Sequence, residues 1–291
     1  MVGPKTYSTP RTILFGVFFL MVHMNGLVSL KQGEPNRRRF KGSRFGLVLL
    51  SIGLAILLWL VVARVGDFPA FILPTPLLVW QRFIDVLVDG SLVRHTLSTL
   101  SEVLLGLVLG VGVATTLGYI LAKSTVMERL LSPYVVASQS VPVVAIAPLL
   151  VIWFGPGLLS KVMICALIVF FPVLVNTIVG LRSVPEDLGD LMRSLQASRW
   201  QTFRLLEVPA ALPVFLGGLR IGATLSVIGA VVGEFVGADR GLGFMINRAR
   251  GQYDTALVFV AVLALVLVAL SLYGVVVLLE RRLLAWRERP D

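Results

Sequence analysis

Few residues of this chain have a type and spacing that could do chemistry. Glu234 is the acid that looks embedded, in the apolar run VVGEFVG. An acid at such depth is costly enough to mark a functional position; the plainer reading is that it reaches the nearby outer interface and hydrogen-bonds locally. Ion coupling would need a second carboxylate, and none is expected in the apolar runs. His23 and His95 are the two histidines, neither is beside a plausible nucleophile, and no Cys/His cluster is spaced to hold a metal. Cys165 is the single cysteine and lies in an apolar run, so no intrachain disulfide forms and nothing adjacent would activate the thiol. No GxxxxGK[ST] loop occurs, so the chain cannot use ATP by itself, and no cofactor is expected in it. Covalent catalysis is excluded; transport remains.

The elements that position these residues are set by composition. With 57% hydrophobic and 14% charged residues and a mean hydropathy of +0.91, the chain belongs in a bilayer. Its net charge of +10 does not point to nucleic acid, because the basic residues flank apolar stretches in short runs, as cytoplasmic anchors do. A hydrocarbon core takes about 20 apolar residues of helix. On that measure, 45–65, 96–121, 133–154, 162–181, 210–236 and 257–279 read as six core spans of an all-α polytopic membrane protein. Arg37, Arg38, Arg39, Lys41 and Arg44 place the start of the first span in the cytoplasm, and Arg281, Arg282, Arg287 and Arg289 place the end of the last there too. The chain divides into 1–44, a hydrophobic segment with a basic arm, and 45–291, the six-span domain. Residues 13–30 are a short apolar stretch carrying His23 and Asn25. They read as a weak span, a signal-like segment, or the product of an early start, with Met21 and Met24 as later ones, outside the functional core.

Between the spans, 66–95 is expected outside, with an amphipathic helix over 77–88. Residues 123–132 form a short inside loop, 155–160 a tight outside turn, and 237–254 an outside loop carrying three arginines. Pro142, Pro148 and Pro172 should kink spans three and four. Gln139, Ser140, Asn176 and Thr177 lie close to these kinks. They either satisfy freed backbone groups or line a pathway; with Glu234, the pathway set is Gln139, Ser140 and Asn176. Gly106, Gly110, Gly112 and Gly118 have the spacing of a close-packed helix face. Arg220 either snorkels to the cytoplasmic face or pairs with loop acids.

Residues 183–209, SVPEDLGDLMRSLQASRWQTFRLLEVP, are the longest charged interruption in the second half. Asp190, Arg193, Ala197, Trp200 and Phe203 recur at helical spacing, Pro185 followed by two acids starts a helix, and Pro209 stops one. The plain reading is a helix on the membrane surface; the sharper is a segment built to dock on something outside the membrane.

This loop resembles the cytoplasmic loop in the permease subunit of ATP-binding-cassette importers that depend on a substrate-binding protein. In the family register Asp190, Leu191 and Met192 stand for Glu-Ala-Ala, Gln196 stands where the family has glycine, and Leu206-Glu207-Val208-Pro209 closes the pattern. Flanking pieces resemble the branch that imports nitrate, sulfonates, taurine and vitamin precursors. They are Ile72-Leu73-Pro74-Thr75-Pro76, Pro142 to Pro148 with Trp153-Phe154-Gly155, Phe171-Pro172 with Asn176-Thr177, Gly180-Leu181-Arg182, Gly218-Leu219-Arg220, and Glu234 through Gly241-Leu242-Gly243. Leu191 and Met192 are bulkier than the family's alanines. Gln196, a good helix former, should leave the loop straighter or bend it another way.

The resemblance implies a type I ABC importer permease fold in the bacterial cytoplasmic membrane, with both core termini cytoplasmic. It implies an ATPase docking on Asp190, Arg193, Leu195, Gln196, Ala197, Ser198, Phe203 and Pro209. Ala197 and Ser198 allow close approach, Arg193 and Arg199 meet acids on the partner, and Phe203 fills a pocket. The remaining partners are an extracytoplasmic binding protein, a second permease copy and membrane lipid, with ATP and Mg held by the ATPase. The cargo is a small nutrient, either an anion of the nitrate, sulfonate or taurine kind or a vitamin or precursor such as a thiamine pyrimidine or riboflavin. The alternative is an ion-coupled secondary transporter using Glu234.

Overall fold

The computed structural model describes residues 41–286; segment 13–30 and Arg287 and Arg289 fall outside them. Every described element is helical. The chain divides into two units, the first ending at Leu57 and the second running from Leu58 to the end. What is described of the first is the start of α1 (Lys41–Val65), with Leu47, Leu49, Leu50, Ile52 and Leu54 all exposed, as a lipid-facing helix requires.

In the second unit α2 (Pro76–Val88) is the expected amphipathic helix, capped by Thr75 Oγ1, which accepts from the Leu78 amide, with Pro76 in its first turn. The Trp59 indole donates to Pro74 O and stacks on Phe259 at 5.2 Å. Arg82 binds the Asp254 carboxylate at 2.8 Å, and Asp254 also caps α11 (Thr255–Leu283). Asp89 leads into α3 (Ser91–Lys123), where hydrogen bonds from Ser91 hold its carboxyl below the usual range.

Among the described residues, four helices are long and apolar enough to cross a bilayer: α3, α6 (Leu158–Arg182), the continuous stretch Arg199–Gly237 that contains α9 (Val208–Gly237), and α11. The expected third span is not one helix. It is α4 (Thr125–Gln139) followed by α5 (Val143–Phe154), bent by 96° at Ser140, Val141 and Pro142. Pro142 lacks an amide donor and pushes Val141 towards extended backbone, so the ladder breaks there. Pro148 and Pro172, also expected to kink, sit inside helices that carry on past them. Taken as one span the bent pair makes five of the six expected; α1 contributes a shorter apolar stretch, Leu49–Val65. Two expected loops are largely helical. Segment 123–132 is broken at Ser124, whose hydroxyl caps α4, and 237–254 contains α10 (Leu242–Gly251).

Packing centres on α6, which lies against α3 on one side and α9 on the other. Small residues make both seams. A Cβ on Gly106 would sit 2.2 Å from Cys165 Cβ, and one on Gly110 would sit 2.7 Å from Ala166 O. Gly118 faces Thr177 in the same way, whereas Gly112 meets nothing within 4 Å and does not belong to the seam. On the other side Gly229 approaches the Cys165 backbone and Gly218 the Asn176 side chain. Without a hydrophobic drive between helices in lipid, such contact is a main source of association.

Gly106→Leu should therefore lower the thermal midpoint of the detergent-extracted chain, at an overpacking cost of about 1–3 kcal/mol or more. Gly112→Leu should leave it within error, and equal effects of the two would contradict this seam.

Candidate functional site

Two groups of residues stand out, at opposite ends of the long helices. The first is the segment between α6 and α9. Here α7 (Glu186–Ser194) follows Pro185, has Glu186 and Asp187 in its first turn and Arg193 in its last, and buries no side chain. Charges so placed complement the helix dipole. Leu195 and Gln196 then turn the chain, with the Ala197 amide donating to Met192 O at 3.0 Å. Gln196 has φ +53°, the left-handed region that favours glycine. The bend is thus kept without the glycine, and the straighter loop expected from helix propensity does not occur. The local bonds that close the turn offset a strain of about 1 kcal/mol.

Ser198 opens the next helix, α8 (Arg199–Thr202), with a capping box. The Gln201 amide donates to Ser198 Oγ at 3.2 Å, and the Ser198 amide to Gln201 Oε1 at 2.7 Å. A π turn, Phe203–Glu207, joins α8 to α9. Pro209 is therefore no stop: it sits in the first turn of α9, where a missing amide costs least, and the helix runs on to Gly237.

Of the docking residues, Asp190, Arg193, Leu195, Gln196 and Ser198 are exposed, and Ala197 and Pro209 half-buried. Arg193 pairs with Asp190 one turn earlier rather than standing free. Both are exposed, so the pair is weak and open to exchange. Phe203 does not point away from the chain as a pocket-filling side chain would. It is half-buried, stacked on Trp200 at 5.5 Å, with its ring 5.4 Å from and perpendicular to Tyr119 of α3. The apolar groups presented outward are instead Leu191, Leu195, Trp200 and Leu205, all more than half exposed.

The second group surrounds Glu234, which is 1% exposed. Its Oε1 accepts from Thr99 Oγ1 at 2.6 Å and its Oε2 from the Gly243 amide. Thr99 Oγ1 in turn accepts from the Leu242 amide at 2.8 Å, and His95 Nδ1 from the Gly241 amide at 3.0 Å. A Cβ on Gly241 or Gly243 would fall 2.1 Å or 2.7 Å from the Glu234 carboxylate, so the Gly-Leu-Gly turn wraps this side chain.

A second buried carboxylate does exist, against expectation. Glu102 lies beside Glu234 and holds Lys161 Nζ at 2.7 Å, with both partners almost fully buried. Lys161 also reaches Arg240 O at 3.5 Å. The set ties α3, α6, α9 and the start of α10 together. Glu102 was legible as the single acid within 96–121, and Lys161 fell between the expected turn at 155–160 and the span beginning at 162.

The expected pathway residues do not converge. Gln139 and Ser140 are exposed at the α4–α5 break. Asn176 lies between α6 and α9, where its Nδ2 donates to Pro172 O at 2.8 Å. It is fifteen residues along α6 from Lys161, about 22 Å at the helical rise, and so far from Glu234. Arg220 pairs with Glu280 and lies over Tyr273, both on α11, rather than meeting a loop acid.

Lys161→Met should cost about 3–5 kcal/mol by leaving buried carboxylate uncompensated, read as a lower thermal midpoint. The double change with Glu102→Gln should recover part of it. Gln196→Gly should stabilise the chain by about 0.5–1 kcal/mol by relieving the left-handed turn; a loss of stability would show that the Gln196 side chain itself holds the bend.

The family described as binding-protein-dependent transport system inner membrane component matches residues 106–285. A riboflavin transport system permease protein of Chloroflexus aurantiacus is 47% identical over 249 residues, 86% of this chain and 92% of that protein. A formylaminopyrimidine transport permease protein of Halalkalibacterium halodurans is 38% identical over 80% of this chain and 93% of its own length. The taurine transport system permease protein of Escherichia coli is 33% identical over 82% and 90%. The fold is that of a chain of the MetNI methionine ABC transporter in an inward facing conformation, with a TM-score of 0.60 at 19% identity over 67% of this chain and 97% of that one. This chain belongs to the family of inner membrane components of binding-protein-dependent transport systems, and is a membrane-spanning permease component of an ABC importer.

Proposed function

We propose that the chain works as a homodimer in the bacterial cytoplasmic membrane, core termini inside. It docks a cytoplasmic ATPase through the α7–α8 segment and receives a vitamin or vitamin precursor from an extracytoplasmic binding protein. The observation that carries this reading is the exposure of α7 and of Leu191, Leu195, Trp200 and Leu205 on a capped, bent segment whose two ends continue into long membrane helices. A helix pair of this kind fits a groove, and movement of the groove would reorient the attached spans as bodies. Each copy offers one such segment, so two copies serve two ATPase clefts. ATP and Mg bind in the ATPase, and no cofactor is assigned to this chain.

The cargo class rests on charge as well as on likeness. Lys161 is engaged by Glu102 and Arg220 by Glu280, which leaves no uncompensated cation in the middle of the described spans to hold a sulfonate or nitrate. That favours the riboflavin-like and pyrimidine-like cargoes named for two relatives over the taurine of the third. Two carboxylates held by protein donors and an ammonium also fit a structural tie better than a travelling ion, so the secondary-transporter reading is set aside.

Affinity extraction of the full chain in mild detergent should recover an ATP-binding partner. Ala197→Asp with Trp200→Asp, which puts charge on the docking face, should reduce recovery at least about tenfold by burying unpaired charge. Vesicles holding the complete complex should take up riboflavin or a pyrimidine precursor and leave taurine outside. Recovery of no nucleotide-binding protein with the intact chain would overturn the docking reading, and uptake of taurine alone would overturn the cargo class.

A further inference from the structure

The π turn is the weak point of the helix that leaves the docking segment. A π turn is wider than an α turn and shifts the hydrogen-bond register, so it can absorb a displacement applied below it. It is also the place where α3 makes an ion pair with this helix. Lys123 Nζ, in the last turn of α3, meets Glu207 Oε1 at 2.5 Å, with the Glu207 side chain 9% exposed. Lys123 lies 5.8 Å from the centre of the Tyr119 ring, and Tyr119 packs its ring against Phe203, the first residue of the π turn. Both ends of the turn are therefore fastened to one helix.

The same two helices are fastened again at their other ends by Thr99 to Glu234, and Thr99 also accepts from the Leu242 amide at the start of α10. Thr99 and Lys123 are 24 residues apart and Glu207 and Glu234 27 apart, which at the helical rise gives about 36 and 40 Å, longer than a hydrocarbon core of about 30 Å. Two antiparallel helices cross-tied at both ends make a braced frame across the membrane. With the inner tie cut, the π turn is free to flex; with it in place, the helix moves as one piece.

Resting on the docking reading above, we infer that Lys123 and Glu207 are positioning residues for energy coupling. They brace the π turn so that a movement of α7–α8 reaches the Glu234 end of α9 instead of being lost at residues 203–207.

The test uses the full chain assembled with its ATPase and binding protein in vesicles, reading cargo imported per ATP hydrolysed together with ATPase recovery. Lys123→Met and Glu207→Gln should each bind the ATPase as the parent does but lower import per ATP about tenfold, within the range of ordinary coupling energies. The charge exchange Lys123→Glu with Glu207→Lys should restore at least half of the ratio, which a merely structural role would not require. An unchanged ratio in both single variants overturns the brace; failure of the parent chain to bind an ATPase or import anything overturns the docking reading instead. Should the variants not assemble, spin labels at the exposed positions Gln201 and Asp239, in a chain diluted with unlabelled copies, decide the matter. Their separation should hold steady through the ATP cycle, and a change of a helical turn, about 5.4 Å, would overturn the proposal.

Discussion

The approach of α3 and α9 to opposite sides of α6 is the contact on which the rest of the molecule depends. It is set by absent side chains: glycines at 106, 110 and 118 on one seam and at 218, 222, 229 and 233 on the other bring backbones near enough for dispersion to act. Once the three helices are this close, polar groups on them cannot avoid one another. Thr99, Glu102, Lys161 and Glu234 are all buried together and in contact with one another. Compensation is partial: Lys161 meets one oxygen of Glu102, hydroxyl and amide donors meet Glu234, and Glu102 Oε2 is buried without a hydrogen-bond partner. The tight seams also let a 33-residue helix such as α3 act as a stiff member rather than a flexible tether.

Both exposed ends of this three-helix body inherit their geometry from it. On the docking side, α7 and α8 hang from α6 and α9 and are shaped by local rules: acids at a helix start, a capping box at Ser198, and a left-handed residue at the turn. On the far side, the Gly-Leu-Gly turn closes on a carboxylate and delivers the chain into α10. The two ends differ in the kind of contact they offer. One presents apolar groups on a water-exposed segment, and the other spends its polar groups internally.

Much of this was legible in the chain itself. Long apolar runs announced the spanning helices, Pro76 and the 77–88 pattern gave the amphipathic helix, and the charged interruption marked the docking segment. What stayed hidden had causes beyond propensity, some local and some tertiary. Propensity made Gln196 a helix former, but ring closure with Met192 forces it left-handed. Pro209 reads as a terminator until the preceding turn is known to be π. Glu102 and Lys161 are 59 residues apart and meet only because α3 and α6 pack. Phe203 carries the right period for an outward face, yet the neighbour it meets, Tyr119, comes from another helix. Fold class follows from periodicity; partner choice among buried side chains does not.

The sharp break between α4 and α5 constrains the surroundings of the molecule as much as its interior. Backbone that leaves the helical ladder at membrane depth is excluded from bare hydrocarbon, because its amide and carbonyl groups would go unpaired. Ser140, Val141 and Pro142 interrupt the ladder with Gln139 and Ser140 exposed beside them. Wherever that corner lies at membrane depth its backbone needs water or another polypeptide beside it, although Val136, Val144 and Ile152 of the same two helices are exposed and apolar, as are the leucines and valines of α11. One flank thus mixes groups that suit acyl chains with a stretch of backbone that does not, and the corner between α4 and α5 is where the two meet.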